Sequence, residues 1–319
     1  MRLLFAAILS CSITLFASDA MATDEKFTIA VFTKNTTNPA YEAFRIAADQ
    51  IARAAGAKVM HYVPKQPDNV EEQKAMVEQV LKDRPDAVVF IPVDDVAMVD
   101  SVKKLNEAKI PIVLASNPLP GQFVTFVGAD DCEIGYKQAR YLFDKLGGKG
   151  KIVVIEGIPV APTNRERVRG YKRAFSEYPG IEVLGSGVGN YQQPDAKRVT
   201  AKFLQEHPQI DAVLSANDGM ALGALEALKE ANRTAVVIGI NGILPAVKLI
   251  ETGALLASVD FNMFKIGCTA TRAALRHLRG EKLPEKIMLP AEIIDKINYK
   301  DWLVPVEQRT CPDWGEVVR

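Results

Sequence analysis

Cysteine, histidine and tryptophan are scarce in this sequence, with four, three and two residues in a chain of 319. His61, His207 and His277 are scattered, and Cys11, Cys132, Cys268 and Cys311 form no C-x-x-C pair, so the spacing of a zinc site is missing. No charge of one sign predominates. Lys plus Arg number 39 and Asp plus Glu number 39, which withholds the basic field needed to neutralise nucleic-acid phosphates or to bind an anionic membrane surface. Nucleotide loops are absent too. Gly185-Ser186-Gly187-Val188-Gly189 lacks the G-x-G-x-x-G spacing and reads as a loop, and Gly147-Gly148-Lys149-Gly150-Lys151 lacks the Walker pattern and reads as a helix stop before a strand. Neither a G-x-S-x-G elbow nor an H-E-x-x-H pair occurs, so neither an enzyme nor a cofactor nor a metal is expected.

What is present is a globular composition, 48% hydrophobic and 24% charged, in a chain longer than the ~250–300 residues at which single cores stop growing. Two domains are therefore expected. The one long apolar run, Leu3–Phe16, follows Arg2 and precedes Ala20-Met21-Ala22, the pattern of a signal peptide cleaved after Ala22. It is shorter than the ~20 residues of a membrane span. A lipoprotein acylated at Cys11 is the lesser alternative, because the apolar run continues past that residue. Export into an oxidising compartment permits a disulfide among Cys132, Cys268 and Cys311, and spacing does not choose the pair.

From Phe27 onwards, short β-branched runs alternate with helical patterns, the signature of βαβ units and parallel sheets. Strands are expected at 27–33, 58–62, 87–91, 110–115 and 123–127, and again at 151–155, 181–184, 212–215, 235–240 and 255–259. Helices are expected between the first four of these, as at 40–55, 70–82 and 96–108, and in the second half near 165–177, 195–206, 219–230 and 245–252, followed by a helix over 264–278 and a strand-like segment over 287–294. The two halves, about 27–129 and 130–260, match in element order without a Pro/Gly/Ser linker. Ligands of open α/β sheets sit beyond the carboxyl ends of strands, which directs attention to Lys34–Tyr41. A purely structural reading of that loop makes Asn38 a helix N-cap with Pro39 at the first helical position. Asp94-Asp95 and Asp130-Asp131 read as acids at helix starts.

At Thr37-Asn38-Pro39-Ala40-Tyr41, Asn164-Arg165-Glu166-Arg167-Val168-Arg169-Gly170-Tyr171, Ser215–Ala224 and Ile238-Gly239-Ile240-Asn241-Gly242, the chain resembles the ribose-binding-protein branch of type I periplasmic solute-binding proteins. The likeness runs from about Phe27 to about Ile294. It implies two flavodoxin-like (Rossmann-like) α/β domains with parallel sheets, joined by a three-strand hinge with crossings near Ala129-Asp130, Phe261-Asn262 and Ala291-Glu292. The implied lobes are 23–129 plus 262–291, and 130–261 plus 292–319, after a signal segment at 1–22. A tail returning to the second lobe makes Cys132 with Cys311 the implied disulfide, leaving Cys268 in the first.

The resemblance also implies a ligand set. Asn38, Arg165 and Asn217 match family ligand positions, and Tyr41 matches the second of two stacking aromatics, with Ala40 in place of the first. Ser116-Asn117 stands where ribose binders have Asp-Arg, Asn241 replaces an aspartate, and Phe261 replaces a glutamine. Two carboxylates that would grip pairs of hydroxyls are thus neutral. With Arg165 kept, Lys34 either makes the cleft positive, suiting a carboxylate or phosphate ligand, or points to solvent beside a neutral sugar or polyol. The surface habit of lysine favours the second.

The implied function is capture of a small carbohydrate-like ligand (sugar, polyol or sugar acid) in the periplasm by a monomer, through hinge closure, for an ABC permease in the inner membrane. A periplasmic sensor serving a receptor kinase or chemoreceptor would share every cleft residue, and neighbouring genes would separate the two.

Overall fold

Short β-branched runs set the strands, and in the computed structural model, which describes residues 27–318, they build two six-stranded sheets. The signal segment read in residues 1–22 lies outside the described residues. The chain begins β1 (Phe27–Phe32), α1 (Pro39–Ala54), β2 (Ala57–Tyr62), α2 (Val70–Asp83), β3 (Ala87–Phe90), α3 (Val99–Glu107), β4 (Ile112–Ala115) and β5 (Thr125–Gly128). It continues α4 (Asp131–Lys145), β6 (Lys149–Glu156), α5 (Pro162–Glu177), β7 (Gly180–Val188), α6 (Gln193–Glu206), β8 (Ala212–Ser215), α7 (Asp218–Glu230), β9 (Val236–Ile240), α8 (Leu244–Thr252) and β10 (Ala257–Asp260). Last come α9 (Met263–Leu278), β11 (Lys286–Met288), β12 (Glu292–Ile294), two 3₁₀ turns (Tyr299–Trp302, Val306–Gln308) and α10 (Trp314–Val317).

The first sheet runs β2-β1-β3-β4-β5-β11, all parallel, and the second β7-β6-β8-β9-β10-β12, parallel except for β12. Both begin with the doubly wound order 2-1-3-4-5, which places a switch point beside the first strand of each sheet. The central strands β3, β4, β8 and β10 are buried throughout because helices cover both faces. Side chains alternate across β1 accordingly. Ile29 and Val31 meet α1 and α9, whereas Ala30 and Phe32 meet α2 and α3. In the second sheet α6, α7 and α8 cover one face, and α4 and α5 the other.

The chain passes between the sheets after β5, after β10 and after β11. The strand-like segment expected over 287–294 is therefore two strands, β11 in the first sheet and β12 in the second, broken at Leu289–Ala291. The loop expected at Gly185–Gly189 is corrected as well, since Gly185 and Gly187 lie within β7. A Cβ at Gly187 would strike Val199 of α6, and one at Gly185 would strike Phe203, so these glycines let strand and helix approach closely.

The tail departs from its expected place. Tyr299, Trp302 and Leu303 pack on the second lobe, but Val306, Cys311, Trp314, Val317 and Val318 return to the first. The disulfide follows this path: Cys311 bonds Cys268 of α9, with Cα atoms 5.6 Å apart. The implied Cys132–Cys311 pairing is overturned, because Cys132 sits half-buried in the first turn of α4 in the other lobe and is free. Among the described residues no helix is long and apolar enough to cross a membrane.

Candidate ligand-binding cleft

The carboxyl ends of both sheets face one another, and the loops leaving β1, β4, β6, β8 and β9 meet there. Lys34, the second residue beyond β1, is buried at 2% exposure rather than pointing to solvent. Its Nζ lies 3.0 Å from Asp68 Oδ1, and the Asp68 N–H donates to the Lys34 carbonyl at 3.0 Å. Burial opposes the lysine charge, but the Asp68 carboxylate outweighs it, so the pKa of Lys34 is raised and the ammonium persists. Asn35 ties the loop together. Its Nδ2 donates to Asp68 Oδ2 at 2.9 Å, and its Oδ1 accepts from the Asn38 N–H at 3.0 Å.

Asn38 caps α1, its Oδ1 accepting from the Ala40 N–H at 3.0 Å, with Pro39 at the first helical position. The same Oδ1 accepts from Asn241 Nδ2 of the opposite lobe at 3.1 Å, so the lobes are in contact across the cleft. Beyond β4 the Asn117 N–H donates back to the Ala115 carbonyl at 2.6 Å, forcing Ser116 between them to φ 59°. This is the strained, positive-φ form of the γ-turn, and it presents Asn117 to the cleft.

From the second lobe comes Arg167 of α5, 2% exposed, whose Nε donates to Asp131 Oδ1 at 2.9 Å and whose Nη1 donates to the Ala216 carbonyl at 2.6 Å. Its guanidinium lies 5.3 Å from the centre of the Phe261 ring. Burial opposes this charge too, and Asp131 again reverses the balance, raising the arginine pKa. Burial prevails at Asp131 itself, whose pKa is raised despite Arg167. Asn217 caps α7 through the Met220 N–H at 2.8 Å, and its Nδ2 donates to the Tyr191 carbonyl at 3.2 Å, holding that tyrosine against the cleft.

Lys34, Asn38, Tyr41, Ser116, Asn117, Asn217, Asn241 and Phe261 line a cavity together with Asn35, Asp68, Thr163, Arg167 and Tyr191. Its free interior is only about 30 Å³, well below the ~300–1,000 Å³ usual for an open small-molecule site, because the two lobes are drawn together over it. Three buried polar atoms in its wall have no hydrogen-bond partner: Asn117 Nδ2, Tyr191 Oη and Asn241 Oδ1. Buried polar groups are rarely left so. A larger hollow beside the hinge, walled by α1, α9 and the tail, shares only Asn241 among these three, and its indole Trp302 already donates to Asp260 at 2.7 Å. Among the described residues no group of three or more His, Cys, Asp or Glu is placed to hold a metal ion.

Arg165 is the exception among the expected residues. It stands outside the cavity, half-exposed at the rim, paired with Asp95 of the first lobe at 2.5 Å and donating to the Val160 carbonyl. The reason is helical geometry: α5 begins at Pro162, so Thr163 and Arg167 share the cleft-facing side at i, i+4 spacing, and Arg165 turns away. That spacing was a usable signal for Arg167. Asp131, read as a helix-start acid, does open α4 and also holds Arg167, while Asp130 caps α4 through the Glu133 N–H at 3.0 Å. Asp68 offered no local signal, since its partner is 34 positions away.

The family model described as periplasmic binding protein domain matches residues 29–282. The ribose import binding protein of Bacillus subtilis is 30% identical over 270 residues, 84% of this chain and 87% of that one. Among solved structures, an ABC transporter periplasmic solute binding protein of Actinobacillus succinogenes with bound D-allose superposes with a TM-score of 0.83 at 28% identity, covering 86% of this chain and all of that one. An ABC transporter solute binding protein of Bacillus halodurans with bound myo-inositol gives 0.81 at 26% identity, covering 88% and 98%. Two doubly wound sheets with three crossings, a cleft between their carboxyl ends, and these likenesses agree, and the chain belongs to the type I periplasmic binding proteins, in the branch that includes the ribose import binding proteins.

Proposed function

We propose that this chain captures a small polyhydroxy ligand, a sugar or polyol, in the interlobe cleft and delivers it to the permease of an ABC importer. The observation that carries this reading is the set of unpartnered buried atoms, Asn117 Nδ2, Tyr191 Oη and Asn241 Oδ1, drawn from both lobes around one cavity. Hydroxyl groups both donate and accept, so one polyhydroxy molecule satisfies all three. Tyr41 and Phe261 offer apolar faces for the carbon side of such a ligand, and Arg167 retains guanidinium protons beyond those given to Asp131 and Ala216. D-allose and myo-inositol, bound by two structural relatives, belong to this chemical class.

Closure follows from the placement. Lys34, Asn38 and Asn117 belong to one lobe and Arg167, Tyr191 and Asn241 to the other, so a ligand touches both sets only when the lobes meet. It therefore stabilises the closed state by its differential affinity, and the closed outline is what a permease would recognise.

The test is titration calorimetry after a thermal-shift screen of pentoses, hexoses, pentitols and inositols. Arg167→Met should weaken the ligand found by roughly 10- to 100-fold, the ~1.5–3 kcal/mol of a charged hydrogen bond. Arg165→Ala, which removes a half-exposed pair, should cost less than about fivefold. Equal effects of the two would overturn the assignment of Arg167, and a wild type that binds no member of the screen would overturn the function.

A further inference from the structure

We propose that Asp68 is the specificity-determining residue of the cleft: as a built-in counter-charge to Lys34 it occupies the place an anionic ligand would take, so the site accepts uncharged polyhydroxy molecules and rejects their carboxylate or phosphate counterparts. This rests on the cleft being the ligand site, as proposed above.

The placement of Asp68 is over-determined. Its backbone is held at φ 57°, its N–H donates to the carbonyl of Lys34, its Oδ1 meets the ammonium at 3.0 Å, and its Oδ2 accepts from Asn35 at 2.9 Å. Its side chain is 6% exposed and lines the cavity. Two buried cations face the cleft, and each has its own buried carboxylate, Lys34 with Asp68 and Arg167 with Asp131. The four formal charges sum to zero. A ligand carboxylate would leave an unbalanced negative charge in a poorly solvated space and would compete with Asp68 for the ammonium, which is costly. A neutral hydroxyl meets no such conflict, because the ammonium has three protons and gives one to Asp68. Lysine here thus serves as an oriented hydrogen-bond donor, and the aspartate removes its appetite for anions.

Calorimetry with matched pairs, ribitol against ribonate and D-allose against D-allonate, reads the charge preference directly. The wild type should favour the neutral member of any pair it binds by at least tenfold, and Asp68→Asn, which keeps the volume and removes the charge, should lower that ratio by at least tenfold. Formate alone is a second probe that needs no knowledge of the ligand. It should raise the melting temperature of Asp68→Asn, but neither that of the wild type nor that of Lys34→Met/Asp68→Asn. A wild type favouring the acids, an unchanged ratio in a folded Asp68→Asn, or an equal formate response in all three proteins would overturn the proposal. Should Asp68→Asn fail to fold, Lys34→Met leaves the aspartate alone and should shift preference from D-glucose towards cationic D-glucosamine, and no shift overturns the proposal. If the wild type binds neither member of either pair and no member of the wider screen, the capture reading fails, while the formate comparison still decides the role of Asp68.

Discussion

Single side chains in this protein hold backbone and cleft at once. Asn38 and Asn217 are each a helix N-cap and a cavity wall, so the capping reading of the Asn38-Pro39 motif holds and leaves the same side chain lining the cleft. A cap fixes the side chain to the helix it starts, which makes it a rigid support for a ligand. Asp218, one residue past Asn217, is buried behind the cleft and accepts from Ser258 Oγ at 2.7 Å and the Ile243 N–H at 3.0 Å. Burial outweighs those hydrogen bonds and lifts its pKa to about 7, and the nearby Asp260 is raised in the same direction. A carboxyl whose pKa is higher folded than unfolded contributes stability that is full below the unfolded value near 3.8 and lost as pH rises towards 7. Denaturation of wild type and Asp218→Asn at pH 4.5, 6 and 8 should therefore show a gap that shifts against the wild type with rising pH, by roughly 3 kcal/mol between the end points at 1.36 kcal/mol per pKa unit. A gap constant across pH would refute this. Residues whose role is local were legible in the sequence, as Asn38 was. Lys34 was not, because a buried lysine depends on a counter-charge brought from another loop, and without Asp68 the surface habit of lysine was the better guess.

At the scale of elements, strands and helices could be read because each β-branched run is closed by glycine, proline or a polar cap. The errors fell where pairing decides the outcome. Residues 286–294 carry one strand-like composition, yet the chain leaves one sheet and joins another within it, and nothing local marks the break except Pro290. Gly185 and Gly187 have the composition of a loop, yet they lie in β7 because α6 presses against them. The same physics governs α4 and α5. A Cβ on Gly170 would fall inside contact distance of the Cys132 carbonyl oxygen, and one on Gly135 inside that of Arg167, so the two helices touch backbone to backbone. Gly170→Ala should destabilise the fold by about 1–3 kcal/mol, the usual range for overpacking. It should also weaken ligand binding, since Arg167 lies one turn away on the displaced helix. Chemical denaturation with calorimetry on the same variant checks both, and a stable variant with unchanged affinity would contradict the close approach.

For the whole molecule, the tail adds a further bridge between lobes already joined by three crossings. Trp302 is tied to Asp260 at the hinge, and nine residues later Cys311 is bonded to α9 of the first lobe. Cys311→Ser should lower stability by about 2–4 kcal/mol, as loss of a native disulfide closing a loop of this length does. A thiol reductant should do the same to the wild type and nothing more to the variant, read as denaturant midpoints, and a reductant-insensitive wild type would contradict the pairing. Neither this bond nor the tail's return was visible in the sequence. The three cysteines among the described residues allow three pairings, and the deciding fact is a hydrophobic surface of α1 and α9 that draws Val306, Trp314 and Val317 to it.

The three crossings also impose an order on assembly. The second sheet is drawn almost wholly from the continuous stretch Lys149–Asp260, with only its edge strand β12 arriving later. The first sheet starts at Phe27, yet one of its faces is covered by α1 alone until α9 packs beside it, where Gly267 lies against the Phe44 backbone. A chain made or threaded from its amino terminus therefore has five of the six strands of its second sheet in hand before α9 and β11 reach the first. The opening hundred residues must wait, with one face of their core half covered, for residues more than two hundred positions downstream, and such long-range closure is slow.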